Sequence, residues 1–254
     1  MADAHNRKAG NKGDVWKHFV LAAVADALLA GRSSGQSFSY VDTHCSHGSF
    51  SLAGGDEWKK GIGVFNNRDW RLADHPYFEI ERRASELGRY LGSWMIVREL
   101  LRSHGLNGDL RLFDISPLVA EALKDEAGFS QSSGFQAVLS GSRRPDLILC
   151  DPAYSEQREQ DWRSIRDFAS QCSGDNLATL IWYPVFVKEP PLAAFAEPVI
   201  AEVRWPCRGA NQLMRGCGMI ALGPARQIVL AIESDLAEVA EALGGAVTLR
   251  RNAA

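Results

Sequence analysis

The sequence predicts an α/β protein, a doubly wound and mostly parallel sheet with a small inserted helical subdomain. Three observations support that reading. Short apolar runs stop at an acid in three places, Phe38 to Val41 before Asp42, Leu110 to Phe113 before Asp114, and Leu147 to Cys150 before Asp151, and a further run, Ala178 to Ile181, leads into Trp182, Tyr183 and Pro184. Runs this short and apolar are strands buried on both faces, as in parallel sheets. Helical patterns lie between them, as crossover connections require. The interval 54–90 interrupts the alternation.

Taken in order, Val15 to Leu29 places apolar residues at helical spacing and leads into the Phe38 strand. Residues 54–90 hold Trp58, Lys59, Lys60, several glycines and a helical stretch from Tyr77 to Leu87, but no parallel strand. They read as an inserted, largely helical subdomain within a single domain spanning 1–254. Ser116 and Pro117 open a helix after the Leu110 strand. Ser155 to Gln171 is a polar amphipathic helix after the Leu147 strand. Strands follow at Val199 to Trp205 and at Gly218 to Leu222 before Gly223 and Pro224, then a short Gln227 to Ile232 run and a helix from Leu236 to Leu243. On this reading the carboxyl half alternates in αβ fashion. No internal repeat interrupts it.

The 254 residues, 46% hydrophobic and 23% charged, suffice for one sizeable core and exclude a disordered chain. No stretch approaches the roughly 20 apolar residues that span a bilayer, so a soluble, cytoplasmic protein is expected, with no membrane partner. The five cysteines, Cys45, Cys150, Cys172, Cys207 and Cys217, form no CxxC pair, which favours reduced thiols over zinc or disulfides. A net charge of −3 argues against wholesale attraction to nucleic acid and leaves only local patches. One lies between Val203 and Ile232, where Arg204, Arg208, Arg215 and Arg226 occur with Asn211 and Gln212 and no acid. The other is the first 17 residues, with Arg7, Lys8, Lys12 and Lys17 against Asp3 and Asp14. Either is a set of phosphate contacts or an ordinary solvated segment.

The chemistry concentrates where strands end. Asp151, Pro152 and Tyr154 follow a strand with no other polar side chain, and a carboxylate there needs hydrogen-bond donors to offset its desolvation. An exocyclic amine is one such donor, and Tyr154 offers a flat face to its ring. Asp42 to Gly48 is a strand-to-helix turn able to present backbone N–H groups to a cofactor, or simply to turn the chain. Asp114 either accepts both hydroxyls of a ribose or begins the next helix. Lys17 and His18 sit near the start of the first helix, where a lone histidine is more often packed than ligating.

Together these residues resemble the bacterial 23S ribosomal RNA adenine N6-methyltransferase family. The resemblance runs through Ala9, Gly10, Asn11, Asp14, Val15, Lys17 and His18; Tyr40, Asp42, Thr43 and His44; Gly92 and Ser93; Gly134 and Phe135; Asp151, Pro152 and Tyr154; Trp182 to Val185; and Gly218, Met219, Gly223 and Pro224. It implies a class I S-adenosylmethionine-dependent methyltransferase, with a helical insertion where one is read above. It implies S-adenosyl-L-methionine held at Lys17, His18, His44, Ser93, Asp114, Ser133 and Gly134, and catalysis at Asp151, Pro152 and Tyr154. It also implies 23S ribosomal RNA as substrate and a monomer. The alternatives are the same chemistry on DNA or another RNA, or a non-catalytic descendant that binds cofactor or RNA. The chain departs from the family pattern at Ala153 for a second proline, Ser46 for a glycine, Ser133 for an acid and Asp114 for a glutamate, and it has no tyrosine among Met1 to Ala9.

Overall fold

The computed structural model describes residues 8–66, 70–141, 143–152, 154, 158–186, 190–195, 197–206 and 214–251. Its strands are β1 (Ser37–Asp42), β2 (Ser49–Ser51), β3 (Arg89–Leu91), β4 (Asn107–Phe113), β5 (Phe129–Ser130), β6 (Leu147–Cys150), β7 (Thr179–Val185), β8 (Val199–Arg204), β9 (Gly216–Leu222) and β10 (Ala246–Arg251). The helices are α1 (Lys12–Ala30), α2 (Pro76–Glu86), α3 (Ser93–Ser103), α4 (Pro117–Ala122), α5 (Gly134–Ser140), α6 (Arg158–Gly174), α7 (Ala225–Ala231) and α8 (Glu233–Ala242).

An eight-stranded sheet runs β10-β8-β9-β7-β6-β1-β4-β5. From β5 to β7 every pair is parallel, and from β7 to β10 every pair is antiparallel. Parallel strands share a carboxyl edge, so the ends of β1, β4 and β6 meet there. The pairings Asp42↔Leu149 and Asp42↔Leu112 bring those three ends level. β2 and β3 form a separate antiparallel pair flanking the insertion, whose other regular pieces are single 3₁₀ turns and α2.

Two differences from the sequence reading have physical causes. The carboxyl half does not alternate: β8 and β9 pair antiparallel with no helix between them among the described residues, and α7 and α8 follow one another before β10. The Gln227 run is helical because its buried residues, Ala225 and Val229, are four apart rather than two. Secondly, α1 begins at Lys12 rather than Val15, because the Asn11 side chain accepts hydrogen bonds from the Gly13 and Asp14 N–H groups and caps the helix earlier.

α1 is the central helix of one layer. Val15, Trp16, Phe19, Val20, Leu21 and Leu29 are all buried, so it is apolar nearly all round. It packs against α2, α3, α7 and the sheet strands β7 and β9. The insertion joins this same core through Ile62, Phe65, Tyr77, Phe78 and Tyr90. The opposite face of the sheet is covered by α6, through Trp162, Ile165 and Phe168.

Candidate active site

The turn after β1 organises the carboxyl edge. Asp42, fully buried at the end of β1, accepts hydrogen bonds from Ser93 Oγ at 2.5 Å, Tyr40 Oη at 2.9 Å and the His44 N–H at 3.2 Å. Burial pushes its carboxyl up to about 6, against the pull of those donors. The backbone then bridges two neighbours, with the Thr43 N–H donating to the Leu149 carbonyl and the Cys45 N–H to the Phe113 carbonyl. Ser46 holds φ at +53° and Gly48 at +74°. A Cβ on Gly48 would lie 2.2 Å from the Trp94 ring, so only glycine fits there.

Asp114 clamps this turn from β4. Its Oδ2 accepts the Ser46 N–H at 3.1 Å and its Oδ1 the Ser116 N–H at 2.8 Å. The ribose and helix-start readings are therefore not exclusive, because each carboxylate oxygen has a second lone pair. From the other side, α5 begins at Gly134 so close to the turn that an added Cβ would stand 2.5 Å from Thr43 Cα. Ser133 occupies the N-cap position of α5, but its side chain makes no capping bond. His44 Nδ1 lies 2.8 Å from Thr43 Oγ1, its ring meets Phe135 edge-on, and burial lowers its basicity.

A second group surrounds Asp151. Lys17 Nζ donates to Asp151 Oδ2 at 2.5 Å and lies 3.4 Å from Asp14 Oδ1. Asp14 is fixed in turn by the Gly10 N–H at 3.1 Å. Burial alone would lower the Lys17 ammonium, but Asp151 and Asp14 outweigh it and hold the group above its ordinary value. Asp151 Oδ1 has no hydrogen-bond partner among the described residues. Tyr154 Oη donates to the Trp182 carbonyl at 2.7 Å, and its ring packs against Trp162 and Trp182. Pro152 is buried behind it.

His18 lies deeper. Its ring is buried, its Nδ1 is 2.8 Å from Tyr90 Oη, and burial, reinforced by Lys17, keeps it well below its usual pKa.

The structure thus joins Lys17 directly to Asp151, Ser93 and His44 to Asp42, and Asp114 and Gly134 to the same turn. Three of the basic residues considered above as phosphate contacts have protein partners. Arg204 pairs with Glu202, Arg226 with Glu197, and Lys12 Nζ donates to the Leu243 carbonyl, because neighbouring acceptors lie within reach. Arg7, Arg208, Asn211, Gln212, Ala153 and Cys207 lie outside the described residues. The other four cysteines are buried free thiols. Sequence reasoning passed over Asp42 and Asp14 as site residues. The signal for Asp42 was the acid closing the first strand, and for Asp14 its place three residues before Lys17.

A parallel sheet extended by antiparallel strands, with its polar turns gathered at the carboxyl edge, is the class I S-adenosylmethionine-dependent methyltransferase fold. A Legionella pneumophila protein of known crystal structure is similar over 96% of this chain and 98% of its own, with a TM-score of 0.76 at 21% identity. No family model matches the chain. In sequence it is 30% identical over 208 residues to the ribosomal RNA large subunit methyltransferase J of Haemophilus influenzae, covering 73% of this chain and 70% of that one. The chain belongs to that methyltransferase family and is an S-adenosylmethionine-dependent enzyme.

Proposed function

We propose that this enzyme methylates the N6 amine of an adenine in 23S ribosomal RNA, with Asp151 and the Pro152 carbonyl receiving the amine. The observation that carries this reading is Asp151 Oδ1, without a partner among the described residues at the end of a buried strand, with Oδ2 anchored on Lys17. An amine has two protons, and two acceptors held by one Asp-Pro pair turn its lone pair outward. Asp151 then draws off the proton that the methylated nitrogen must lose. Lys17 fixes the carboxylate rotamer for that task, so its contact with Asp151 supports a positioning part more directly than a cofactor contact. Tyr154, tied to Trp182, presents a fixed ring against which a flipped base stacks, worth roughly 1–3 kcal/mol.

S-adenosyl-L-methionine supplies an activated methyl group on a sulfonium. The turn suits such a molecule: Gly48 and Gly134 allow close backbone approach, Asp114 retains acceptor capacity, and Ile115 beside it is 73% exposed, an apolar face for a purine. His18, His44, Ser93, Asp114, Ser133 and Gly134 are the residues that would hold it, with Ile115 added by the structure.

Residues 54–90 are read as an insertion within one domain, since they share its core. No helix among the described residues is long and apolar enough to cross a membrane, and a cytoplasmic monomer acting on ribosomal RNA is the proposed setting. The test is methyl transfer from labelled cofactor to protein-free 23S RNA, with the product nucleoside identified by mass spectrometry. N6-methyladenine that disappears in Asp151→Ala is the expected result. No transfer to any RNA overturns the reading.

A further inference from the structure

We infer that Tyr90, backed by Tyr77, locks the His18 ring with its proton on Nε2 and so makes His18 a hydrogen-bond donor toward the cofactor. The inference rests on the reading of His18 as a cofactor contact and adds which way its proton points. The three side chains form a buried chain. Tyr77 Oη lies 3.2 Å from Tyr90 Oη, which lies 2.8 Å from His18 Nδ1, and the His18 and Tyr90 rings stack at 5.6 Å. Exposure is 3% for His18, 1% for Tyr90 and none for Tyr77, so bulk solvent does not reach the chain of bonds.

Counting protons decides the direction. The His18 ring is neutral, because burial and the neighbouring Lys17 both disfavour its cation. If Nδ1 bore the proton it would donate to Tyr90, Tyr90 would donate to Tyr77, and the Tyr77 hydroxyl proton would have no acceptor among the described residues. Glu81, whose charge acts on Tyr77, accepts instead from the Leu91 N–H. In the opposite sense both hydroxyl protons are used: Tyr77 donates to Tyr90, Tyr90 donates to Nδ1, and the ring proton sits on Nε2, the nitrogen outside this chain of bonds. A buried hydroxyl left without an acceptor is the costlier arrangement. Nε2 has no partner among the described residues, so its N–H is available to an acceptor. Of the cofactor's groups, the carboxylate is the anionic acceptor, whereas its ammonium and adenine amine are excluded by the same polarity.

Tyr90 is therefore a positioning residue. It comes from β3, at the far end of the insertion, so the insertion sets the polarity of a side chain on α1. Long-range proton–nitrogen correlation spectra of the labelled enzyme read the tautomer directly and need no variant. The expected wild-type result is a protonated Nε2 and a bare Nδ1. A protonated Nδ1 overturns the inference whatever His18 binds. Tyr77→Phe should keep the Nε2–H form, since Tyr90 still donates. Tyr90→Phe should lose that preference and weaken cofactor binding about tenfold in calorimetry, with KM for RNA unchanged. An unchanged tautomer in Tyr90→Phe also overturns the inference. If instead Nε2–H is found and His18→Ala binds cofactor as tightly as wild type, the cofactor contact is what fails.

Discussion

Two carboxylates show how this sheet divides its labour. Glu202, on β8 in the antiparallel half, has no exposure and has both oxygens engaged: Tyr183 Oη donates to Oε2, while Arg204 Nε and Arg250 Nη2 both reach Oε1, each at 2.7 Å. Asp151, in the parallel half, keeps 22% of its side chain exposed and has one oxygen on Lys17 and one without a partner among the described residues. A buried charge with both oxygens engaged holds neighbouring strands together. One that is half engaged at a strand end can still accept a substrate. The surroundings, rather than the residue type, assign the task.

The largest test exchanges the two roles. Asp151→Ala should lower methyl transfer by about 10²–10⁴-fold and cost less stability than Glu202→Ala, because Lys17 keeps Asp14 as a partner. Glu202→Ala should do the reverse, costing roughly 3 kcal/mol, the low end for a broken buried pair because Arg204 and Arg250 can turn to solvent. If Asp151→Ala melts as early as Glu202→Ala, the contrast is broken. A smaller effect separates Asp42 from both. Its carboxyl is raised from 3.8 to about 6 by burial, so the folded state binds a proton that the unfolded state has released between those values. Stability from this group is present below about pH 4 and is lost as pH rises through about 6, on the order of 2–3 kcal/mol. Chemical denaturation across that range should show the fall in wild type and a flatter profile in Asp42→Asn.

Glycines sharpen the comparison further. A Cβ at Gly134 would press on Thr43 Cα at 2.5 Å and its carbonyl oxygen at 2.6 Å, whereas one at Gly218 would meet the Tyr183 ring at 2.2 Å. Both changes should cost about 1–3 kcal/mol through overpacking. Calorimetry should nevertheless distinguish them, because Gly134→Ala displaces the cofactor turn and weakens cofactor binding, while Gly218→Ala moves Tyr183 away from Glu202 and spares it.

The parallel half was legible because its strands are short apolar runs ending in acids, and Asp42, Asp114 and Asp151 all stand at the shared edge. Strand direction beyond β7 was not legible. Ala201, Val203, Met219 and Ala221 are apolar whichever way their strands run, and β10, with Thr248, Arg250 and Arg251, has the mixed pattern of an edge. In the site, types and positions could be read but not partners. Lys17 and Asp151 are 134 residues apart, and only the packing of α1 across the sheet brings them together. The bonds that Tyr40 and Tyr90 make were not legible either, since a hydroxyl's partner leaves no trace in the local sequence.

The smallest prediction concerns the residue that departs from the family's glycine. Ser46 adopts φ +53°, in the left-handed region where an L side chain costs about 1–2 kcal/mol. Its contribution to the turn is the backbone N–H on Asp114, which any residue supplies. Ser46→Gly removes the strain but enlarges the freedom of the unfolded chain, which takes back about 0.4–1 kcal/mol. The net should be a gain of about 0.5–1 kcal/mol, read as a melting temperature higher by roughly 1–4 °C with cofactor affinity unchanged. A lower melting temperature would mean that the serine side chain itself supports the turn. The reciprocal change at Gly48 has no such latitude, because there the obstacle is the Trp94 ring in addition to the backbone angle. Within one turn, then, one left-handed position tolerates a side chain at modest cost and the other does not, and only the second is fixed by packing.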